Sequence, residues 1–218
     1  MIEYIVPGNI DDRVLAKAVS LLCEGGTVAI PTDTSWSVVC SMNSKTGIKR
    51  LKDLSKEKNE RHFTLLCSDI SQFGDFCSLD NTRFRLIKRL TPGPYVFVLK
   101  TLLGTEKALG LKRSEIGVRL PDYPVPLALI DALGCPLYGI TAKRSMIEDD
   151  DFSEGEEDFS AFYSEETLFD GGWEMDDIRG LDLILDSGED RNRIFSTVLD
   201  ISSGDILVLR QGAGPWPV

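Results

Sequence analysis

Short β-rich runs alternate with stretches of helical spacing along most of this chain and then crowd together at its end, and that order restricts the fold more than any other feature. Ile2 to Val6 reads as a strand and Pro7-Gly8-Asn9 as a turn. From Ile10 to Cys23, the residues Val14, Leu15, Ala18, Leu21 and Leu22 recur at helical spacing, and Gly25-Gly26 supplies the stop. Thr27 to Ile30 is β-rich and ends at Pro31. Ile48, Leu51 and Leu54 place an apolar stripe on a helix carrying Lys45, Lys49, Arg50 and Lys52. Phe63 to Cys67 reads as a strand, and Phe84 and Ile87 fit a helix closed by Thr91-Pro92-Gly93. Tyr95 to Leu99 and Ile116 to Leu120 read as strands, and Pro124 to Leu133 is helical up to Gly134. Three β-rich runs close the chain: Leu181 to Leu185, Phe195 to Ile201 and Ile206 to Leu209. Early alternation with late strands predicts an α/β (α+β) fold in one domain over residues 1–218, with a large twisted mixed sheet flanked by helices.

Charge separates one segment from the rest. Between Glu148 and Asp177 lie Glu148, Asp149, Asp150, Asp151, Glu154, Glu156, Glu157, Asp158, Glu165, Glu166, Asp170, Glu174, Asp176 and Asp177, with no Lys or Arg among them. The formal charge of the whole chain is -11, from 24 Lys and Arg against 35 Asp and Glu. Setting the block aside leaves 21 acidic residues, so the remainder carries +3. The run 148–177 therefore reads as an acidic insertion. It is a solvated surface loop, a flap that competes with anions for a basic face, or a contact for an unknown protein partner. Its spacing does not match a calcium loop.

The composition also removes function classes. No window approaches the ~20 apolar residues of a membrane span. The opening Met-Ile-Glu-Tyr has neither the basic start nor the apolar run of a secretory signal, so a cytoplasmic chain with no membrane partner is expected. Cys23, Cys40, Cys67, Cys77 and Cys135 form no Cys-x-x-Cys pair, which argues against a disulfide framework or structural zinc. His62 is the single histidine and has no nucleophile motif beside it, so a Ser-His-Asp triad is not indicated. Neither a Gly-x-x-x-x-Gly-Lys phosphate loop nor a Gly-x-Gly-x-x-Gly turn is present.

Four stretches put polar groups at strand ends, where a rigid scaffold can hold them. Pro31-Thr32-Asp33-Thr34-Ser35-Trp36-Ser37 is a hydroxyl-rich loop able to bind phosphate, carboxylate or an amino acid, or to serve as an ordinary turn. Arg119 lies in the apolar strand Gly117-Val118-Arg119-Leu120, where ligand phosphate and a structural carboxylate are competing partners. Ser196 and Thr197 enter a later strand, and Arg210 ends another before Gly212-Ala213-Gly214.

In that order the pieces resemble the YrdC domain, the family of threonylcarbamoyl-adenylate synthases and their YciO relatives. Thr32-Asp33-Thr34, Thr91-Pro92-Gly93-Pro94, Gly117-Val118-Arg119, Ser196-Thr197-Val198 and Leu209-Arg210-Gln211-Gly212-Ala213 carry the resemblance, which spans roughly Asp11 to Gly214 apart from the acidic block. His62-Phe63-Thr64-Leu65-Leu66-Cys67, Asp80-Asn81 and the run from Thr91 to Lys100 are closer to the YciO branch. The pattern also departs from the synthases. Their Lys-x-Arg meets Ser55-Lys56-Glu57-Lys58: a one-residue deletion aligns Lys56 and Lys58, and an ungapped match aligns Ser55 and Glu57. Their Ser-x-Asn meets Thr141-Ala142-Lys143, keeping the hydroxyl and losing the amide. Trp36 and Ser37 replace Tyr and Gly. A lysine in place of arginine exchanges a bidentate clamp for a point charge.

The resemblance implies a concave basic face. In the synthases, bicarbonate adds to threonine, and the carbamate attacks the α-phosphate of ATP and expels pyrophosphate, chemistry that rests on positioning and charge neutralisation. By the same resemblance Thr32 and Thr34 line the threonine and carbamate end. Arg119, Lys56 and Lys58 face phosphates with a magnesium ion, Thr141 and Ser196 donate to phosphate oxygens, and Arg210 closes the nucleotide side. Trp36 and Lys143 complete the set at substituted positions. The expected partners are RNA (double-stranded RNA or tRNA) and an ATP-type nucleotide on the concave face, in connection with tRNA threonylcarbamoyladenosine modification. The alternative is an active nucleotidyltransferase of the threonylcarbamoyl-AMP synthase type, acting on ATP with Mg2+, L-threonine and bicarbonate.

Overall fold

Side-chain alternation along the strands divides the buried apolar residues between the two faces of one sheet. In a computed structural model of the chain, the described residues are 1–55, 63–147 and 164–217. Among them are ten strands: β1 (Ile2–Tyr4), β2 (Val28–Pro31), β3 (Trp36–Ser41), β4 (Thr64–Leu66), β5 (Tyr95–Lys100), β6 (Glu115–Arg119), β7 (Leu137–Thr141), β8 (Leu183–Asp186), β9 (Thr197–Asp200) and β10 (Leu207–Arg210). Six α-helices accompany them: α1 (Asp12–Cys23), α2 (Lys45–Ser55), α3 (Ile70–Phe76), α4 (Asn81–Leu90), α5 (Thr105–Leu109) and α6 (Pro124–Leu133). The sheet order is β1-β8-β2-β3-β7-β4-β6-β5-β9-β10. It is mixed: β1-β8, β2-β8, β4-β6 and β5-β9 are parallel, and the other pairs antiparallel.

One apolar cluster takes Trp36, Val38, Leu65, Phe97, Val118, Tyr138 and Leu199 from the strands and Ile48, Leu51, Phe73, Ile87 and Leu109 from α2 to α5. Their sequence neighbours Val39, Leu66 and Leu137 face the opposite way, into a second cluster with Ala18 and Leu22 of α1 and Val125, Leu129 and Ile130 of α6. Most of these side chains are wholly enclosed, and each buried Val, Leu, Ile or Phe among them contributes about 1.5–3 kcal/mol. The helix ends are fixed locally, by two aspartate caps the sequence reading does not single out and by the Gly25 stop it does. Asp11 accepts the Arg13 amide at the start of α1, and Asp80 accepts that of Arg83 at the start of α4. Gly25, at φ 87°, turns the chain out of α1 in a conformation that side chains with a Cβ rarely adopt.

Helices α3 and α5 go unread in the sequence, and two further features differ from its reading. The hydroxyl-rich loop is only residues 32–35, because Trp36 already begins β3, and neither β3 nor β7 is recognisable from its own sequence. Both are interrupted by small or polar residues, Ser37 and Ser41 in one and Gly139 in the other. The acidic block is the second correction. Residues 148–163 lie outside the described residues, but 164–177 is not a solvated loop. It contains short 3-10 turns at Glu165–Thr167 and Gly172–Met175, with Leu168, Phe169 and Met175 wholly buried. Two of its acids are paired with arginines: Arg144 meets Glu174 at 2.5 Å, and Arg193 meets Asp170 at 2.7 Å. A deletion from Asp149 to Asp176 would therefore remove core side chains.

Candidate functional site

The loop between β2 and β3 is built on its own hydroxyls. Thr32 Oγ1 donates to the Ser35 carbonyl at 2.6 Å and accepts the Thr34 amide at 3.2 Å, and the two threonine hydroxyls lie 3.2 Å apart. These bonds fold the loop into a tight turn in which Thr32, Thr34 and Ser35 are all buried. Arg119, at the end of β6 and paired in register with Leu66, reaches into this turn. Its Nη2 meets Asp33 Oδ1 at 2.6 Å and its Nη1 donates to Thr34 Oγ1 at 3.1 Å. Arg119 is 5% exposed, and its Nε and Asp33 Oδ2 are both buried with no hydrogen-bond partner. Burial pulls the Arg119 pKa down, against the opposing pull of Asp33. A buried ion pair with an unused donor on one side and an unused acceptor on the other can complete its bonding with a small ligand bearing complementary groups.

A residue outside the sequence-derived set belongs to the same place. Arg191 donates from Nη2 to the Thr32 carbonyl at 2.8 Å and from Nη1 to Tyr123 Oη at 2.9 Å, with its guanidinium 4.4 Å from the Tyr123 ring centre. No local signal marks it, since it sits in a polar stretch 159 positions from its partner.

The second group is formed around Phe195. Arg210 donates from Nε to the Ser196 carbonyl at 2.9 Å and from Nη2 to Ser196 Oγ at 3.1 Å, and lies 4.7 Å from the Phe195 ring centre. Lys143 is 6% exposed, with Nζ 6.0 Å from the same ring centre, so one aromatic ring attracts two cations. Thr197 has a structural task. It donates to the Gly214 carbonyl and accepts the Gly212 amide at 2.9 Å, which fastens the C-terminal turn against β9. Gly212 approaches so closely that a Cβ there would lie 2.1 Å from the Phe195 carbonyl oxygen, which accounts for the glycine of the Leu-Arg-x-Gly-Ala motif.

Of the sequence-derived residues, the structure thus joins Thr32, Thr34 and Arg119 in one hydrogen-bonded group, and Lys143, Ser196 and Arg210 around Phe195. Trp36 is wholly buried and donates its indole N–H to the Asp170 carbonyl at 3.2 Å, a bond within the fold. Thr141 ends β7 opposite Ser37 and is partly exposed. Lys56 and Lys58 lie outside the described residues, as does His62. Burial pushes the thiols of Cys40 and Cys77 up to about 12 and raises that of Cys67 further, so these three are protonated and poor nucleophiles. Among the described residues no three His, Cys, Asp or Glu side chains converge as a metal site, and no helix is long and apolar enough to cross a membrane.

Comparison with known proteins places this geometry. The Sua5/YciO/YrdC family model, described as "Telomere recombination", matches residues 20–154. YciO of Escherichia coli is 30% identical over 212 residues, covering 97% of this chain and 95% of its own. The crystal structure of E. coli YciO superposes with a TM-score of 0.76 at 29% identity, covering 100% of this chain and 98% of the other. A threonylcarbamoyl-AMP synthase of Shigella flexneri is 28% identical over 142 residues, covering 63% of this chain and 74% of its own. P. abyssi Sua5 complexed with L-threonine has the same fold, with a TM-score of 0.75 at 20% identity over 97% of this chain and 57% of that one.

Proposed function

The chain belongs to the Sua5/YciO/YrdC family, which is related to tRNA threonylcarbamoyladenosine synthesis, and on that premise we propose that it binds an ATP-type nucleotide at the Thr32–Ser35 turn and Arg119. The observation that carries this reading is the buried Asp33–Arg119 pair, with one donor and one acceptor still unused beside two threonine hydroxyls. Arg119 is already neutralised by Asp33 and buried, so it suits a small ligand that inserts beside the pair better than a long polyanion. Lys143 and Arg210 are likewise turned inward, onto Phe195 and Ser196. Magnesium would arrive on the triphosphate, in keeping with its preference for phosphate and water ligands over an all-protein cage. The setting proposed is cytoplasmic.

The second reading is catalytic. A Sua5 relative binds L-threonine, and the Thr32 and Thr34 hydroxyls offer this chain a matching polar end. In that reading the threonine nitrogen adds to bicarbonate with loss of water. A carbamate oxygen then bonds to the α-phosphorus of ATP as pyrophosphate leaves. The loss of an amide at Lys143 makes binding the stronger of the two readings.

Titration with ATP and magnesium, with and without L-threonine, tests both. Wild type is expected to bind saturably, with tighter binding when threonine is present. Asp33→Asn/Arg119→Gln, which leaves no buried charge stranded, is expected to lose that binding. No saturation at low millimolar ATP overturns the proposal. Pyrophosphate release with threonine and bicarbonate separates the synthase from the binder.

A further inference from the structure

Two arginines grip the Thr32–Ser35 turn, and they hold different parts of it. Arg119 takes the side chains, bonding to Asp33 Oδ1 and Thr34 Oγ1. Arg191 takes the main chain, donating from Nη2 to the Thr32 carbonyl at 2.8 Å. That carbonyl belongs to the planar peptide leading into Asp33, so fixing its direction fixes where the Asp33 side chain starts. Topology brings the two segments together. β8 runs parallel to β2, with Val28 opposite Leu183 and Ala29 opposite Ile184, so the chain leaves both strands at the same end of the sheet. The turn after β2 and the stretch after β8 that carries Arg191 are therefore neighbours.

Arg191 is itself fixed at both ends. Its amide donates to the Asp170 carbonyl at 2.8 Å, the same oxygen that accepts the Trp36 indole N–H. Its Nη1 donates to Tyr123 Oη at 2.9 Å, and the guanidinium lies 4.4 Å from the centre of that ring. Its Nε is enclosed with no hydrogen-bond partner. Among the described residues every side-chain partner of Arg191 is neutral, although the exposed Glu189 and Asp190 immediately precede it. An arginine needing only a counter-charge would turn to those acids in water. This one gives up hydration for a carbonyl, a phenol and a ring, a bridge that suits the rigid planar fork of a guanidinium.

We infer that Arg191 is a positioning residue of the ligand site: it sets the Thr32–Ser35 turn through the Thr32 carbonyl, while Tyr123 and Asp170 set Arg191. It acts through the turn and contacts no ligand. Asp170 belongs to the strap of residues 164–177, so part of the acidic block becomes a support for the site, one step removed from it. The effect on ligand affinity rests on the nucleotide reading above, whereas the effect on the turn does not.

Two measurements on the full chain test it. The first is hydrogen–deuterium exchange without ligand. Arg191→Met is expected to speed exchange over residues 33–36 about fivefold, as the loss of one buried hydrogen bond would, and to leave α1 as in wild type. Arg191→Lys gives the same reading should Arg191→Met not fold. The second is titration with ATP and magnesium. Arg191→Met and Arg191→Lys are both expected to bind about tenfold more weakly, since an ammonium keeps the charge but not the two-pronged bridge. Tyr123→Phe is expected to weaken binding by itself, yet to change it by less than about twofold when added to Arg191→Met, because it acts through Arg191. Exchange at the turn that matches wild type overturns the inference, and so does an equal rise in α1, which would make Arg191 a general stabiliser. Full ATP affinity in Arg191→Lys also overturns it, leaving Arg191 a charge alone, as do additive losses from Tyr123→Phe and Arg191→Met. If wild type binds no ATP, the nucleotide reading falls and exchange at the turn decides the role of Arg191.

Discussion

Arg119 shows how one buried charge can belong to the fold and to a site at once. The sequence leaves two partners open for it, a ligand phosphate or a structural carboxylate, and the structure supplies the carboxylate from Asp33 while leaving Nε unused. The cost of disturbing the pair depends on whether a charge is stranded. Arg119→Ala leaves Asp33 buried and unpaired and is expected to cost about 3–5 kcal/mol. Asp33→Leu/Arg119→Met, which removes both charges, is expected to cost much less, and urea unfolding of the two variants measures the difference. Equal losses would mean that the pair is not coupled as drawn. Asp33 was legible as part of a motif, but its role was not. Nothing in a Thr-Asp-Thr triplet states which arginine its carboxylate will meet.

At the scale of elements, the strap of residues 164–177 departs furthest from its sequence. Its charge pattern reads as solvated, yet Leu168, Phe169 and Met175 are interspersed among the acids and bind it to the core. Glu174 is its electrostatic anchor, accepting the amides of Asp170 and Gly171 and pairing with Arg144. Burial alone would raise its pKa, but the Gly171 amide, Arg144 and the Asp170 amide together outweigh it and hold the carboxyl below its usual 4.5. A carboxyl with a depressed folded pKa stabilises the protein fully above its unfolded value, and that stability is lost as pH falls through the lowered one. Glu174→Gln is therefore expected to melt below wild type at pH 7, and the gap in Tm should close progressively under pH 4.5. A gap that stays constant with pH would assign Glu174 a packing role only. Helices fared better from sequence. Gly25 and Gly134 act locally as stops, and α6 runs over Pro124–Leu133 as its spacing predicts, although the short α3 and α5 go unread. Strands β3 and β7 were invisible because their small and polar residues are buried by neighbours rather than by any pattern of their own.

Across the whole molecule, one sheet serves two cores, so damage on either face is felt by both. Leu65 and Leu66 are consecutive, enclosed, and assigned to opposite clusters. Leu65→Ala and Leu66→Ala are each expected to cost about 2–5 kcal/mol and to lower a single unfolding midpoint, read alike by near- and far-ultraviolet circular dichroism. Two separated transitions would show that the layers unfold independently. Read alone, the sequence determined what depends on near neighbours: which face of each recognisable element is apolar, where helices start and stop, and the ordered motifs that place the chain in its family. The tertiary structure decided what depends on meetings between distant segments. It inserts β8 between β1 and β2, although the sequence sets it among the last strands. It brings Asp33 to Arg119 across 86 positions, and Arg191 to Thr32 across 159. It also lays an acidic strap over the indole of Trp36. Hydrophobic periodicity specifies which side of a strand is buried but not which strand lies beside it, and in this protein the site is made where non-consecutive strands become neighbours.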